Sequence, residues 1–205
     1  MEVKNVKILN CDPSAVGLFG LAMVTLVASS QKLGITSGTS LVIPWAIFLG
    51  GFAQLFACIN DSKRNNVFGT TTFGGFALFW FAVATSWMIK GGFFGEDIAA
   101  SVDALQLGFG FFGYLIFSLV LTIGSMSINK LLFIDFIFID FLLLGLTLYS
   151  FGILPDFSGM LAGVSELIIS IISFYGFAAM VLNQHFGKVF LPTGKPLITI
   201  NKSSE

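Results

Sequence analysis

An all-α membrane protein with six transmembrane helices per protomer is the fold class this sequence predicts, and three observations predict it. Hydrophobic residues make up 56% of the 205-residue chain and charged residues 10%, whereas a soluble domain carries about 25% charged residues. Six stretches reach the roughly 20 apolar residues that a helix needs to cross a bilayer. The basic residues gather between alternate pairs of those stretches, as the loops on one side of a membrane require.

The six stretches are Ala15–Leu33, Thr39–Ile59, Val67–Ile89, Leu107–Met126, Leu131–Gly152 and Ala162–Asn183. They divide the chain into an N-terminal segment 1–14, a six-helix transmembrane domain 15–183 and a tail 184–205. A transmembrane barrel would need segments of about ten residues alternating polar and apolar. Runs such as Leu142-Leu143-Leu144 do not alternate. The same composition excludes other classes. Twenty-five Phe oppose disorder, two Cys are too few for a disulfide scaffold, and a net charge of −1 gives no footprint for nucleic acid.

Orientation follows from the basic residues. Lys4, Lys7, Lys63, Arg64, Lys130, Lys188, Lys195 and Lys202 fall on one side of a six-span topology, with Lys32 and Lys90 opposite. Cytoplasmic loops carry the Lys/Arg excess, so a multi-pass protein of the plasma (cell inner) membrane with both termini in the cytoplasm is expected. The first fourteen residues are polar and the first apolar run is too long for the core of a signal peptide, so no cleavable leader is expected. Cys11 and Cys58 then face a reducing compartment as free thiols.

Small residues mark where helices can approach closely in a bilayer. Ala46, Gly50, Ala53 and Ala57 form a ridge in the second span, and Phe73, Phe76 and Trp80 share one face of the third. Either pattern serves helix packing or a permeation path. Ionisable groups inside spans mark functional sites by default: Asp135 and Asp140 in the fifth span and Glu166 near the outer end of the sixth. Asp135 and Asp140 are about 140° apart around a helix and cannot share a face. No Lys or Arg lies in the central part of any span, so Asp140, the deeper acid, is expected to be protonated or well hydrogen-bonded. Gln54 and Thr70-Thr71-Thr72 are neutral polar groups that bond neighbouring helices or line a wet path. His185 reads as an ordinary interfacial side chain.

Enzyme signatures are missing: there is no His-Glu-x-x-His, no Gly-x-Ser-x-Gly, no Gly-x-Gly-Asp, no nucleotide loop and no Cys/His cluster. No enzyme, metal or cofactor is therefore expected, and permeation of something small remains.

Four motifs then carry a family resemblance. Asp12-Pro13-Ser14-Ala15-Val16-Gly17-Leu18 is similar to Asn-Pro-Ala-Pro-Leu-Gly-Leu of the acetate uptake transporter family, the succinate–acetate permeases. Gly50-Gly51-Phe52-Ala53-Gln54 resembles its Gly-Gly-x-Ala-Gln, and Asn66-Val67-Phe68-Gly69-Thr70-Thr71-Thr72-Phe73 its Asn-Thr-Phe-Gly-x-Thr-Ala-Phe. Leu182-Asn183, Phe186-Gly187 and Leu191-Pro192 resemble its closing segment. The resemblance spans nearly the whole chain. It implies a homo-hexameric ring with a separate path through each protomer, carrying acetate and similar small monocarboxylates, in some members succinate, with proton coupling or as a channel.

By position it places a hydrophobic constriction at Leu21, Phe76 and Phe138. Asp12 stands where the family has Asn, Ala15 where it has Pro, and Met180 and Gln184 where acids are usual. The expected solute contacts are Asp12, Gln54, Thr71 and Asn183, and the candidates for proton coupling are Asp140, Asp135 and Glu166. The partners are a small carboxylate, protons and the lipid bilayer. Two other readings stay open: a channel for a small neutral solute such as urea or a short amide, and an assembly protein that transports nothing.

Overall fold

Six helices long and apolar enough to cross a membrane follow one another in the computed structural model, which describes residues 11–199. They are α1 (Ser14–Lys32), α2 (Val42–Lys63), α3 (Val67–Lys90), then a short connecting helix α4 (Glu96–Ala100), α5 (Ala104–Ser125), α6 (Lys130–Ser150) and α7 (Pro155–Phe186). Lys4, Lys7 and Lys202, and most of segment 1–14, lie outside the described residues.

Local sequence sets the ends. Asn66, Asp103 and Asn129 cap α3, α5 and α6 by accepting hydrogen bonds from the backbone N–H groups of Gly69, Leu105 and Leu132 at 3.1, 2.9 and 2.9 Å. The last helix begins at Pro155 rather than Ala162, because proline suits the first helical position, and it stops at Gly187 in the left-handed region (φ 64°). Span two is not a uniform α-helix. Residues Ala46–Ala53 are π-helical, and this wider turn shifts the residues that follow around the helix axis, immediately before Gln54.

The helices close into a ring. Helix α1 packs against α2 and α7, α6 against α5 and α7, and α3 against α2, with a thinner seam between α3 and α5. That seam is filled by side chains: Tyr114 donates to the carbonyl oxygen of Gly75 at 2.9 Å, and the Phe117 ring lies 5.6 Å from that of Phe76. Polar bonds stitch other seams. Ser170 donates to the Ala22 carbonyl (2.8 Å), Ser173 to Asp135 (3.1 Å), and Thr122 to Asp140 (2.7 Å). Elsewhere Thr25, Ser29 and Thr147 return their hydroxyls to their own helix, which keeps them satisfied in an apolar setting.

Small residues set the ring's tightness. A Cβ on Gly20 would overlap the carbonyl oxygen of Leu49, so α1 meets the π-helical turn backbone to backbone. A Cβ on Gly50 would sit 2.5 Å from Cγ of Trp80, so this glycine is the recess that receives the indole. The outward faces stay apolar, with Phe48, Phe52 and Phe56 of α2 exposed, as surfaces in lipid should be. Gly20→Ala is expected to lower the stability of the detergent-solubilised protein by about 1–3 kcal/mol, the usual cost of overpacking. Gly110→Ala, where no side chain and no other helix lies within 4 Å of the added methyl, should hold or slightly raise the thermal midpoint, since alanine is the better helix former. Equal melting of the two variants would refute this account of the ring.

Candidate functional site

The ring encloses two cavities on opposite sides of an aromatic layer. One opens toward the face that carries Asp12, Arg64, Asn129 and the tail, here the proximal face; the other opens toward the distal face at Lys32 and Lys90.

The proximal cavity has a volume of ≈380 Å³, large enough for a small organic solute. Most of its wall is apolar, from Leu18, Leu21, Phe68, Phe76, Phe136 and Ile139, and its polar groups are few: Asp12, Gln54, Thr72 and Asp135 among them. Gln54 is 1% exposed, and its Nε2 has no hydrogen-bond partner among the described residues. The same holds for the Thr72 hydroxyl and for Oδ1 of Asp135. Unsatisfied buried polar atoms are rare in native structures, and these three belong to residues that line the cavity.

At the mouth, Arg64, the single arginine of the chain, lies 3.2 Å from Asp12 and 3.7 Å from Asp61. Burial opposes ionisation of Asp12, but hydrogen bonds from Ser14 and Arg64 outweigh it and hold its carboxyl below the ordinary value.

The aromatic layer separates the cavities. The Phe76 ring lies 6.3 Å from Phe79 and 6.4 Å from Phe136, and Phe79 lies 5.4 Å from Trp80. All four are buried. Phe76 walls the proximal cavity, Phe79 and Trp80 wall the distal one, and no side chain lines both. An apolar constriction of this kind excludes water and bare ions by dewetting. The distal cavity, ≈320 Å³, is lined by Lys32, Lys90, Glu166, Tyr149 and the two tryptophans Trp80 and Trp87.

Two cavities stacked on either side of an aromatic layer inside a six-helix ring are an arrangement that suits a permeation path, and the comparisons with known proteins agree with it. Residues 2–195 match the GPR1/FUN34/yaaH family. The chain belongs to that family. It is 29% identical over 194 residues to the succinate-acetate/proton symporter SatP of Escherichia coli strain K12, covering 93% of this chain and 98% of that protein. It is 31% identical over 188 residues to accumulation of dyads protein 2 of Saccharomyces cerevisiae, covering 84% of this chain and 62% of that one. The structure of the bacterial acetate channel SatP superposes with a TM-score of 0.80 at 25% identity, over 91% of this chain and all of that one.

Within this family frame the site residues expected from sequence divide. Asp12, Gln54, Leu21, Phe76 and Asp135 come together around the proximal cavity. Thr71 does not: it is exposed on the outer surface of α3, and Thr72, one residue and about 100° further round the helix, faces the cavity instead. Asn183 is not a solute contact either. Its Oδ1 accepts from the N–H groups of Phe190 and Leu191 (2.7 and 2.8 Å) and its Nδ2 donates to the Leu191 carbonyl (2.8 Å), so the whole amide pins the tail back along α7. Tyr175 to Pro192 and Leu131 to Thr193 continue that strap.

Phe138 packs beside Phe141 outside the cavity wall, where Phe136 and Ile139 take its place. Asp140 lines neither cavity, and Thr122 holds its Oδ2 across the α5–α6 seam. Glu166 does have a cation. The ammonium of Lys32, at the end of α1, reaches it at 2.8 Å, and because α7 begins at Pro155 this acid lies about 16 Å along its helix.

Sequence reading missed Asp61, which is fully buried. It sits in a run of polar residues that reads as a headgroup loop, yet Gly69 leaves room for its carboxyl against α3. A Gly in the first turn after an Asn cap was the available signal.

Phe76→Leu should admit bulkier solutes through the waist, raising their permeation about tenfold, equivalent to roughly 1.4 kcal/mol off the barrier. Phe138→Leu should leave the size cut-off alone. Stopped-flow light scattering on proteoliposomes with solutes of graded size reads both, and a cut-off set by Phe138 would overturn this assignment.

Proposed function

We propose that this protein is a transporter or channel for acetate and similar small monocarboxylates, succinate included at its upper size limit, and that its flux is linked to protons. The observation that carries the reading is the pair of vestibules around an apolar waist, in a chain whose relative in Escherichia coli is named a succinate-acetate/proton symporter.

A carboxylate needs donors at the vestibules and a way to shed charge at the waist. Gln54 and Thr72 offer neutral donors in the proximal cavity, with Asp12 at its mouth. Weak, few contacts suit a solute that must also leave. Leu21, Phe76 and Ile139 form the proximal side of the constriction. A bare carboxylate entering that layer loses its hydration without a partner, so passage with a proton is much the cheaper route. Asp135 is the proton-exchanging group nearest the constriction, and Asp140 serves as a tie between α5 and α6.

The lining acids also support a second reading. Asp12 and Asp135 with no lysine or arginine among the described residues of the proximal wall suit a neutral solute such as urea, a short amide or an undissociated acid. Labelled-acetate uptake into proteoliposomes, against protein-free liposomes that report leak of acetic acid through lipid, decides between them. Saturable, protein-dependent uptake that rises with an inward proton gradient is the expected result. No acetate flux beside rapid urea flux would replace this reading by the second.

The proposed setting is the plasma membrane, with the proximal face, rich in Arg64, Lys63, Lys130 and Lys188, toward the cytoplasm. The proposed assembly is a homo-hexameric ring, each protomer holding its own path, with the exposed Phe48–Phe52–Phe56 face available to neighbours or lipid. Light scattering in detergent should give six times the 22.1 kDa chain mass; a monomer would sink the ring.

A further inference from the structure

The distal vestibule carries a charge arrangement that a simple conduit does not need. Glu166 is 1% exposed on its side chain and holds the Lys32 ammonium at 2.8 Å, while Lys32 keeps 17% of its side chain exposed. Lys90, on α3, lines the same cavity and forms no ion pair among the described residues. The charged and titratable groups facing this space are therefore Lys32 from α1, Lys90 from α3, Tyr149 from α6 and Glu166 from α7; α5 contributes Ala104, Leu107 and Phe111. Glu96, Asp97, Asp103 and Asp156 do not line it. With Glu166 ionised, two lysines and one carboxylate line a cavity otherwise walled by aromatic and aliphatic side chains with Gln31 and Ser150.

We infer that Lys32 and Glu166 form a proton-controlled carboxylate trap at the distal entrance. Ionised Glu166 occupies Lys32; when Glu166 takes up a proton, the released ammonium, with Lys90 beside it, binds the carboxylate of the incoming solute. The inference rests on the carboxylate reading above and names the groups that would link the proton to the solute on this side.

Charge arithmetic supports it. At the Lys32 ammonium itself, ionised Glu166 and a solute carboxylate would compete for one cation and repel each other in an apolar surround, even though Lys90 elsewhere on the wall balances the total charge. A proton on Glu166 removes that conflict by forming one O–H bond with a proton from bulk water. Proton and carboxylate then enter together, and the net charge of the vestibule is unchanged. By linkage, each raises the affinity for the other equally. The geometry fits. Glu166 is buried behind Lys32, so a solute arriving from the distal face meets the ammonium first.

The proximal cavity lacks this device. Among the described residues its one cation is Arg64, held at the mouth between Asp12 and Asp61, and Asp135 deeper on the wall has no ion pair.

The test is the half-saturation of labelled-acetate uptake by the full-length protein in proteoliposomes, at acidic and neutral pH. Acetate quenching of Trp80 and Trp87, which line the vestibule, gives a parallel reading of binding. Wild type should bind acetate about tenfold more tightly at acidic pH, a typical coupling between linked sites. Glu166→Gln, fixed in the neutral form, should bind tightly at both pH values and lose the pH dependence. Lys32→Gln alone would strand the buried Glu166 charge, so the double variant Lys32→Gln/Glu166→Gln is used to remove the ammonium. It should fold, as judged by its helical circular dichroism and gel-filtration profile, and bind about tenfold more weakly at both pH values, the coupling of linked sites being lost with the ammonium.

Wild-type pH dependence persisting in Glu166→Gln, or a folded double variant that binds as tightly as Glu166→Gln, would reduce the pair to a structural tie between α1 and α7. Absence of acetate uptake by wild type would overturn the carboxylate reading itself, and the trap with it.

Discussion

Close approach of α1, α2 and α3 is the contact on which the rest of the structure depends. Lipid supplies no hydrophobic drive between helices, so helices hold together only where their surfaces let atoms touch. Gly20 brings α1 onto the carbonyl of Leu49, and Gly50 opens α2 to the indole of Trp80. The indole seated there leaves Phe76 and Phe79 at the centre of the ring, against Phe136 and Tyr114. A larger residue at Gly50 would push the Trp80 indole and the aromatic layer outward, and one at Gly20 would part α1 from α2. The waist is thus a consequence of small residues on the helices packed around it.

That layer gives the two vestibules separate electrostatic characters. Lysines dominate the distal one, and the wall charges of the proximal one are acids, with Arg64 held at the mouth by Asp12 and Asp61. Charges separated by low-dielectric side chains keep their fields, because little water lies between to screen them. An anion is therefore attracted on one side and poorly held on the other.

The sequence was informative wherever a property is local. Span number, capping residues and the apolar outer faces depend on composition and on neighbours within a turn. The ends of helices were nearly legible too, and the largest shift, at α7, followed from Pro155 as a first helical residue. Side-chain direction was less so. The step from Thr71 to Thr72 is one residue in the chain but a change from exposed surface to cavity in space. Phe138 gave way to Phe136 and Ile139 for the same reason. In a span that is hydrophobic on every side, periodicity does not say which face looks inward.

Asn183 shows a different limit, since its motif is real but its amide serves the tail strap, a contact made by residues seven and eight positions further on. By itself, the sequence determined a six-helix membrane protein, its family and the polar groups available for a path. The tertiary structure alone decided that Lys32 meets Glu166 across 134 positions of chain, that Asp61 is buried, and that two cavities lie on either side of an aromatic layer. The physical reason is that an ion pair or a cavity wall is assembled from several helices. Its existence depends on their rotation and spacing, which no single stretch of sequence encodes.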